Sequence, residues 1–410
     1  MAPAEPTATR PFPFVIRDLT TDDVDQYNAL LRYAFQVTEQ ELASLGWQSK
    51  EIEQSKFPVI ERADILGCYD GNELISQFAV YPLEMNIYGD VRPIGFITSV
   101  TTYPEYSGHG IMSRLMRQSL ERMREKGQSL AVLYPYSIPL YRHRGWEIIS
   151  NKISYAMRED QIPVLSPVPG FVRRVDDYDT DLRELHDRFA RQTHGCLLRN
   201  RLAWDEYWRW DEDDTCTAVY YDASEKPLGY MVYLIKDNIM RIKEMIYLNR
   251  EAQKGLWQYI RAHQSMLKEV RGNTYYNEPI AFEMDDADIT ETVRPYIMGR
   301  IVDLEQFIEG YPCRDDADVR LRIRVEDPFL EWNSGIYELR FDHGESSIER
   351  LDDGSGYDLA MSIGTLTTLL MGYKQAKLLH RIERIEGDRP YIALLDRALH
   401  HEAPYISDYI

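Results

Sequence analysis

The stretch Ile94-Gly95-Phe96-Ile97-Thr98-Ser99-Val100-Thr101-Thr102-Tyr103-Pro104-Glu105-Tyr106-Ser107-Gly108-His109-Gly110-Ile111-Met112 runs from an apolar, β-rich segment through a proline and a glycine loop into a helix. Ile111, Met112, Leu115, Met116, Ser119 and Met123 fall along one side of that helix, and Lys126-Gly127 closes it with a cation and a glycine. Gly108 and Gly110 therefore stand at a helix start, where unpaired N–H groups and the helix dipole favour an anion such as a pyrophosphate. A Gly-x-Gly in a tight strand-to-helix turn is, by itself, more often a structural device. It is not the dinucleotide fingerprint, because the third glycine is absent and the preceding strands form an antiparallel meander.

Upstream, three apolar runs beginning at Ile65 are separated by Asp70-Gly71-Asn72 and Gly89-Asp90, which is turn chemistry. Before them, Val15 to Arg17 reads as a first strand. Thr20 or Thr21 then caps a helix in which Val24, Tyr27, Leu30, Leu31 and Phe35 recur at helical spacing. Asp22 and Asp23 complement the dipole of its first turn. Downstream come a buried-type strand at Leu130 to Leu133, the triplet Tyr134-Pro135-Tyr136, a short turn or helix through Tyr141, and a strand from Trp146 to Met157.

Pro163, Pro167 and Pro169 mark a linker. Beyond it the element order repeats: a helix with Leu182, Leu185 and Phe189, strands around 218–221, 229–235 and 242–248, and a helix over 253–266. The second copy has Asn249-Arg250-Glu251-Ala252-Gln253 where the first has Ser107-Gly108-His109-Gly110, so it offers no glycine cradle for phosphate. A third region opens near Gly299, with alternating strands at Leu321, Ile323, Val325 and at Ile336, Tyr337, Leu339, Phe341. Asn333-Ser334-Gly335 turns between them, and helical patterns follow over 365–372, 374–385 and 390–400.

With 410 residues, 44% of them hydrophobic, the chain is long enough for more than one core. The 47 Lys and Arg against 67 Asp and Glu give a charge of −20, which repels nucleic acid and makes cationic small molecules the more natural ligands, although acidity also serves simple solubility. Cys68, Cys196, Cys216 and Cys313 are too scattered for a zinc site and read as free thiols. No stretch is apolar enough to span a bilayer. Met1 to Pro13 has neither a signal-peptide core nor a cationic amphipathic face. The expectation is a cytoplasmic protein with a short disordered leader, no metal, no nucleic acid and no membrane.

Taken with Tyr141-Arg142-His143-Arg144-Gly145-Trp146, the glycine loop resembles that of the GNAT superfamily of N-acetyltransferases, and the whole chain is similar to its enhanced-intracellular-survival type. Third-region matches are Arg300-Ile301-Val302-Asp303, Val325-Glu326-Asp327-Pro328, Trp332-Asn333-Ser334-Gly335 and Leu369-Leu370-Met371-Gly372-Tyr373. The resemblance implies an α+β chain. Residues 1–13 would be the leader, 14–160 a catalytic mixed-sheet acetyltransferase domain, 161–298 a degenerate second copy, and 299–410 a domain like sterol carrier protein. It also implies a homo-oligomer, a hexamer in this family, using acetyl-CoA. Val100, Thr101 and Thr102 would pair with the pantetheine arm, and Gly108, His109, Gly110, Ile111, Met112 and Ser113 would hold the pyrophosphate. Tyr136 and Ser137 would line the far side of the cofactor. Ser107 and Met112 depart from the family pattern, which has a basic residue or Gln and a small residue there.

The chemistry so implied is attack of a neutral amine on a thioester, with an acid for the departing sulfur. The resemblance gives the acid to Tyr141 and the base to the α-carboxylate of Ile410, at the end of an apolar, aromatic tail. Tyr141 is otherwise a packing aromatic among 29 tyrosines, with His143 a competing acid, and His400 and His401 are alternative bases. The acceptor is expected to be a small cationic amine or a lysine-containing substrate, an aminoglycoside, polyamine or lysine side chain, recruited by carboxylates such as Asp408 and Glu39. A lipid-binding protein and an inactive acetyltransferase scaffold are the competing readings.

Overall fold

In the computed structural model, residues 13–38, 40, 49–177, 179–209, 214–276, 279–352 and 354–410 are described; most of the leader and Glu39 lie outside them. The chain forms two compact bodies, Met1–Pro82 with Ile97–Arg122, and Leu83–Phe96 with Met123–Ile410.

In the first body, strand Val15–Asp18 pairs antiparallel with Asp64–Asp70, which pairs antiparallel with Glu73–Ile87. Thr20, one of the two expected caps, forms a capping box with Asp23 ahead of helix Val24–Phe35. Asp23 does more than complement a dipole. It forms a bidentate pair with Arg17 at 2.8 and 2.9 Å, which holds its carboxyl well below the usual range. Strand Asp90–Thr102 carries a local break at Ser99, a non-glycine residue at φ 55°. The Tyr27 hydroxyl from the helix lies 2.8 Å from Ser99 Oγ and braces that irregularity.

The larger body holds two further sheets. One has the order Thr290–Pro295, Asn151–Arg158, Glu269–Thr274, Ile239–Tyr247, Pro227–Lys236, Cys216–Tyr221, Phe171–Val175. Within it Ile239–Tyr247 and Glu269–Thr274 run parallel, and the other neighbours run antiparallel. Helix Arg250–Ala262 packs Leu256, Trp257 and Ile260 into its core. The other sheet is Glu345–Leu351, Gly335–Asp342, Asp318–Glu326, Leu359–Ser362, Ile385–Gly387, with helices Ile363–Leu370, Ala376–Arg381 and Arg389–Ala398.

The expected single strand from Trp146 to Met157 is in fact two. Glu147–Ile148 and Leu130–Leu133 both pair antiparallel with Met298–Ile301, whereas Asn151–Arg158 pairs with Glu269–Thr274 and Thr290–Pro295. Strands from early and late in the chain are thus exchanged, one each way. Both retain a β pattern, so the sequence marks them as strands without marking their partners. The continuous helix expected over 374–385 is also corrected, because Ala376–Arg381 ends before a short strand at Ile385–Gly387.

The motifs of the third region converge on one buried polar joint. The fully buried Arg300 donates to Asp327 Oδ2 at 2.5 Å and to the Arg144 carbonyl. Asn333 donates to the same carboxylate at 2.9 Å and to the Val302 carbonyl at 3.1 Å. Asp327 Oδ1 accepts from the amides of Phe329 and Leu330, each at 3.0 Å. Arg300, Asp327 and Asn333 thus bond to one another and to the neighbouring backbone, which is a structural role.

Candidate functional site

The glycine loop has the geometry that its composition predicts. Gly108 and Gly110 adopt φ of 83° and 72°, in the left-handed region that glycine enters freely, ahead of helix Ile111–Glu125. No atom lies within 4 Å of where a Cβ would stand on either residue, and Ser107, Gly108, His109 and Gly110 are all exposed. The first helical turn carries no acidic side chain. An open left-handed loop feeding a helix start fits a pyrophosphate, with Val100, Thr101 and Thr102 on the preceding strand of the same body. His109 Nδ1 lies 3.1 Å from the Tyr106 carbonyl, and its ring meets Phe14 edge-on at 5.8 Å.

The corresponding junction of the repeat is closed by its own side chains. Asn249 caps helix Arg250–Ala262 by accepting from the Ala252 amide at 2.9 Å, and Tyr220 donates to Glu251 at 2.7 Å. Glu283 accepts from Arg250 and Gln253 at 2.5 and 3.0 Å. A carboxylate and a side-chain cap occupy the positions where an anion would bind.

Tyr136, Ser137, Tyr141 and Ile410 lie in the larger body. Tyr136 is 90% exposed. Ser137 is the N-cap of the short helix Ile138–Arg142, and Tyr141 is buried against Trp146, edge-on at 5.9 Å. Burial pushes the Tyr141 phenol up to about 12, with Arg144 opposing. The gap above a thiol of about 8.5 is therefore wider than the reference phenol value of about 10 suggests. The turn is braced from behind. Arg142 grips Glu147 at 2.7 and 3.0 Å, Arg384 joins the same carboxylate, and Arg300 holds the Arg144 carbonyl. Burial raises the Glu147 carboxyl, but these guanidiniums outweigh it and hold the group below its ordinary value. His143 is exposed, as a residue between two arginines would be. Arg142 and Arg300 lie in the motifs quoted above without being assigned to the site there, and Glu147 and Arg384 carry no motif of their own.

The tail is seated rather than frayed. Tyr405, Ile406, Ser407 and Asp408 are buried, while Tyr409 is half exposed. The Asp408 side chain cannot recruit a substrate: it accepts from Arg199 Nε at 2.7 Å, and both side chains are almost completely buried. That part of the expectation is overturned, because a buried carboxylate needs an internal partner and Arg199 is it. The same guanidinium binds Glu244 at 2.8 and 3.1 Å and lies over the rings of Tyr207 and Trp204 at 4.0 and 4.8 Å. Glu244 also accepts from Tyr230 at 2.6 Å, and the Tyr230 hydroxyl is 3.0 Å from His186. His400, an alternative base, instead stacks on Tyr88 at 4.7 Å.

Beside this tail is a cavity of about 670 Å³ whose wall includes Tyr134, Lys152, Lys243, Arg294, Tyr296 and Tyr409. Tyr134, the residue after strand Leu130–Leu133, meets Tyr409 at 5.0 Å and Tyr296 at 5.6 Å. Tyr296 donates to the Asp408 carbonyl at 3.1 Å. Among the described residues no helix is long and apolar enough to cross a membrane, and no cluster of His, Cys, Asp and Glu is placed to hold a metal.

Comparison with known proteins agrees with the geometry. Acetyltransferase (GNAT) domain families match residues 15–149 and 195–301, and the sterol carrier protein domain family matches 304–407. An N-acetyltransferase of Streptomyces avermitilis is 25% identical over 363 residues, 82% of this chain and 85% of the relative. N-acetyltransferase Eis of Mycobacterium tuberculosis is 20% identical over 360 residues, 82% of this chain and 86% of the relative. Among solved structures, a GCN5-related N-acetyltransferase from Anabaena variabilis superposes with a TM-score of 0.85 at 20% identity, covering 97% of this chain and 100% of that one. Eis1 from Mycobacterium abscessus does so with a TM-score of 0.79 at 17% identity and the same coverage. With two acetyltransferase domains ahead of a sterol carrier protein domain, the chain belongs to the GNAT superfamily of N-acetyltransferases, in its Eis-type arrangement.

Proposed function

We propose that the chain transfers an acetyl group from acetyl-CoA to a primary amine by direct attack, using a single cofactor site in its first acetyltransferase domain. The observation that carries this reading is the contrast between the two helix starts: Gly108 and Gly110 form an open left-handed cradle, while Asn249 to Gln253 are capped from within. In this reading residues 108–113 offer backbone N–H groups to the pyrophosphate, and Val100, Thr101 and Thr102 offer a strand edge to the pantetheine arm. Bound acetyl-CoA supplies an activated thioester. Tyr136 and Ser137 flank it, and Tyr141 keeps its proton for the leaving sulfur.

Calorimetric titration should find one acetyl-CoA per chain; two equivalent sites would overturn the reading. Gly110→Val should weaken binding about tenfold, because a β-branched residue in the left-handed region costs about 1–2 kcal/mol. The strain is in the backbone, since nothing crowds the missing Cβ. Unchanged affinity would remove the loop from the site.

For the base we propose a carboxylate at Ile410, one residue past the cavity-lining Tyr409. Residues added after Ile410 replace it with an amide, which accepts no proton. Turnover should then fall about 10²-fold, the low end of the range for general catalysis, since Ile410 is only partly buried and water reaches it. Ile410→Leu should retain most activity. Equal rates for the extended and native chains would rule this base out. Aminoglycosides, polyamines and lysine side chains share the primary amine proposed here, and thiol release across a panel of amines tests it.

A further inference from the structure

The charges on the cavity wall beside the tail do not cancel. Lys152 and Arg294 stand directly opposite each other on the antiparallel strands Asn151–Arg158 and Thr290–Pro295, and both line the cavity. Like charges in that cross-strand position repel and destabilise a sheet. Neither forms an ion pair among the described residues. The Lys152 ammonium lies 5.7 Å over the Tyr296 ring, and burial first, then Arg294, lowers its pKa. Lys243, on the same wall, donates to the Tyr207 carbonyl at 2.5 Å. The wall's two carboxylates are already matched, Glu206 by Arg209 at 2.7 and 2.8 Å and Glu244 by Arg199. In a chain with a charge of −20, this cavity is a local positive site.

We infer that the acceptor of this enzyme carries a carboxylate, held by Lys152 and Arg294, together with the primary amine that it presents toward the tail. The inference rests on the amine acetyltransfer proposed above and replaces the polycationic acceptor with an amino-acid-like one. A guanidinium and an ammonium converging on one carboxylate is an ordinary mode of recognition, and an anion there removes the repulsion between the two strands. The exposed Arg294 supplies steering, while the more buried Lys152 supplies affinity.

The test uses the full chain with acetyl-CoA and two acceptors differing only in the carboxylate, Nα-acetyl-lysine and N-acetylcadaverine, with spermidine as the polycation. The wild type should favour Nα-acetyl-lysine by at least about tenfold in kcat/KM, as a charge-assisted contact provides. Lys152→Met and Arg294→Gln should each reduce that ratio; the second variant decides if the first fails to fold. Nα,Nε-diacetyl-lysine, which has the carboxylate but no reactive amine, should bind in calorimetry and bind at least tenfold more weakly to Lys152→Met. Transfer to N-acetylcadaverine or spermidine as efficient as to Nα-acetyl-lysine overturns the anionic acceptor and leaves amine transfer standing. If no acceptor reacts, the functional reading fails for these amines and the diacetyl-lysine titration alone decides: binding lost in Lys152→Met upholds the anion site, and no binding to the wild type overturns it.

Discussion

Arg199→Met should destabilise the larger body by about 3–5 kcal/mol, the usual cost of breaking a buried ion pair from one side. Removing the guanidinium strands two buried carboxylates, Glu244 and Asp408, and withdraws the cation held over Tyr207 and Trp204. Because Asp408 belongs to the tail, the loss should appear first as faster amide exchange over 404–410 and as lost turnover, ahead of global unfolding. Denaturant unfolding and hydrogen exchange measure both. A loss under about 1 kcal/mol would show that these charges are not the tail's anchor. Removing all three charges together, in Arg199→Met, Glu244→Met, Asp408→Leu, should restore much of the stability, since an uncharged cluster leaves nothing unpaired.

The same cluster sets an acid limit. Burial raises the Glu244 carboxyl, but Arg199 more than offsets this and brings it down to about 2. A carboxyl held below its unfolded value of about 4.3 contributes stability above that value and loses it as pH falls toward the folded one. The tail should therefore loosen between about pH 4 and about 2. Asp408 works the other way, because burial raises it and one bond from Arg199 does not compensate.

Which parts of this architecture were legible in the sequence follows from how each is encoded. The glycine loop was visible because a left-handed backbone is written directly as glycine, and the closed junction of the repeat because it has no glycine to open it. The exchange of strands 151–158 and 298–301 was not, since alternation marks a strand but not its neighbour. The Arg199 cluster was hidden for a similar reason. A lone arginine in Leu198-Arg199-Asn200 reads as surface, and its burial follows only once Glu244 and Asp408 converge on it. The one available signal was a charged Asp408 inside an otherwise apolar tail. Lys152 and Arg294 likewise become a pair only through strand register.

Tyr141→Phe should lower kcat by about 10² to 10⁴ while leaving acetyl-CoA affinity nearly intact, because a general acid acts on charge that develops only as the thiolate leaves. The phenol is buried and, among the described residues, its hydroxyl has no hydrogen-bond partner, so its removal disturbs little of the ground state. With its pKa pushed up to about 12, Tyr141 keeps its proton throughout the neutral and mildly alkaline range. The wild-type kcat should then show no fall below about pH 10 that the Phe variant abolishes. A high pKa also makes the phenol a reluctant donor to a thiolate of pKa about 8.5, so proton transfer must run with sulfur departure rather than precede it. A solvent deuterium effect on kcat should therefore be present in the wild type and reduced in Tyr141→Phe. Equal turnover in the two proteins, measured where chemistry limits the rate, would take the acid role from Tyr141 and give it to exposed His143 or to water.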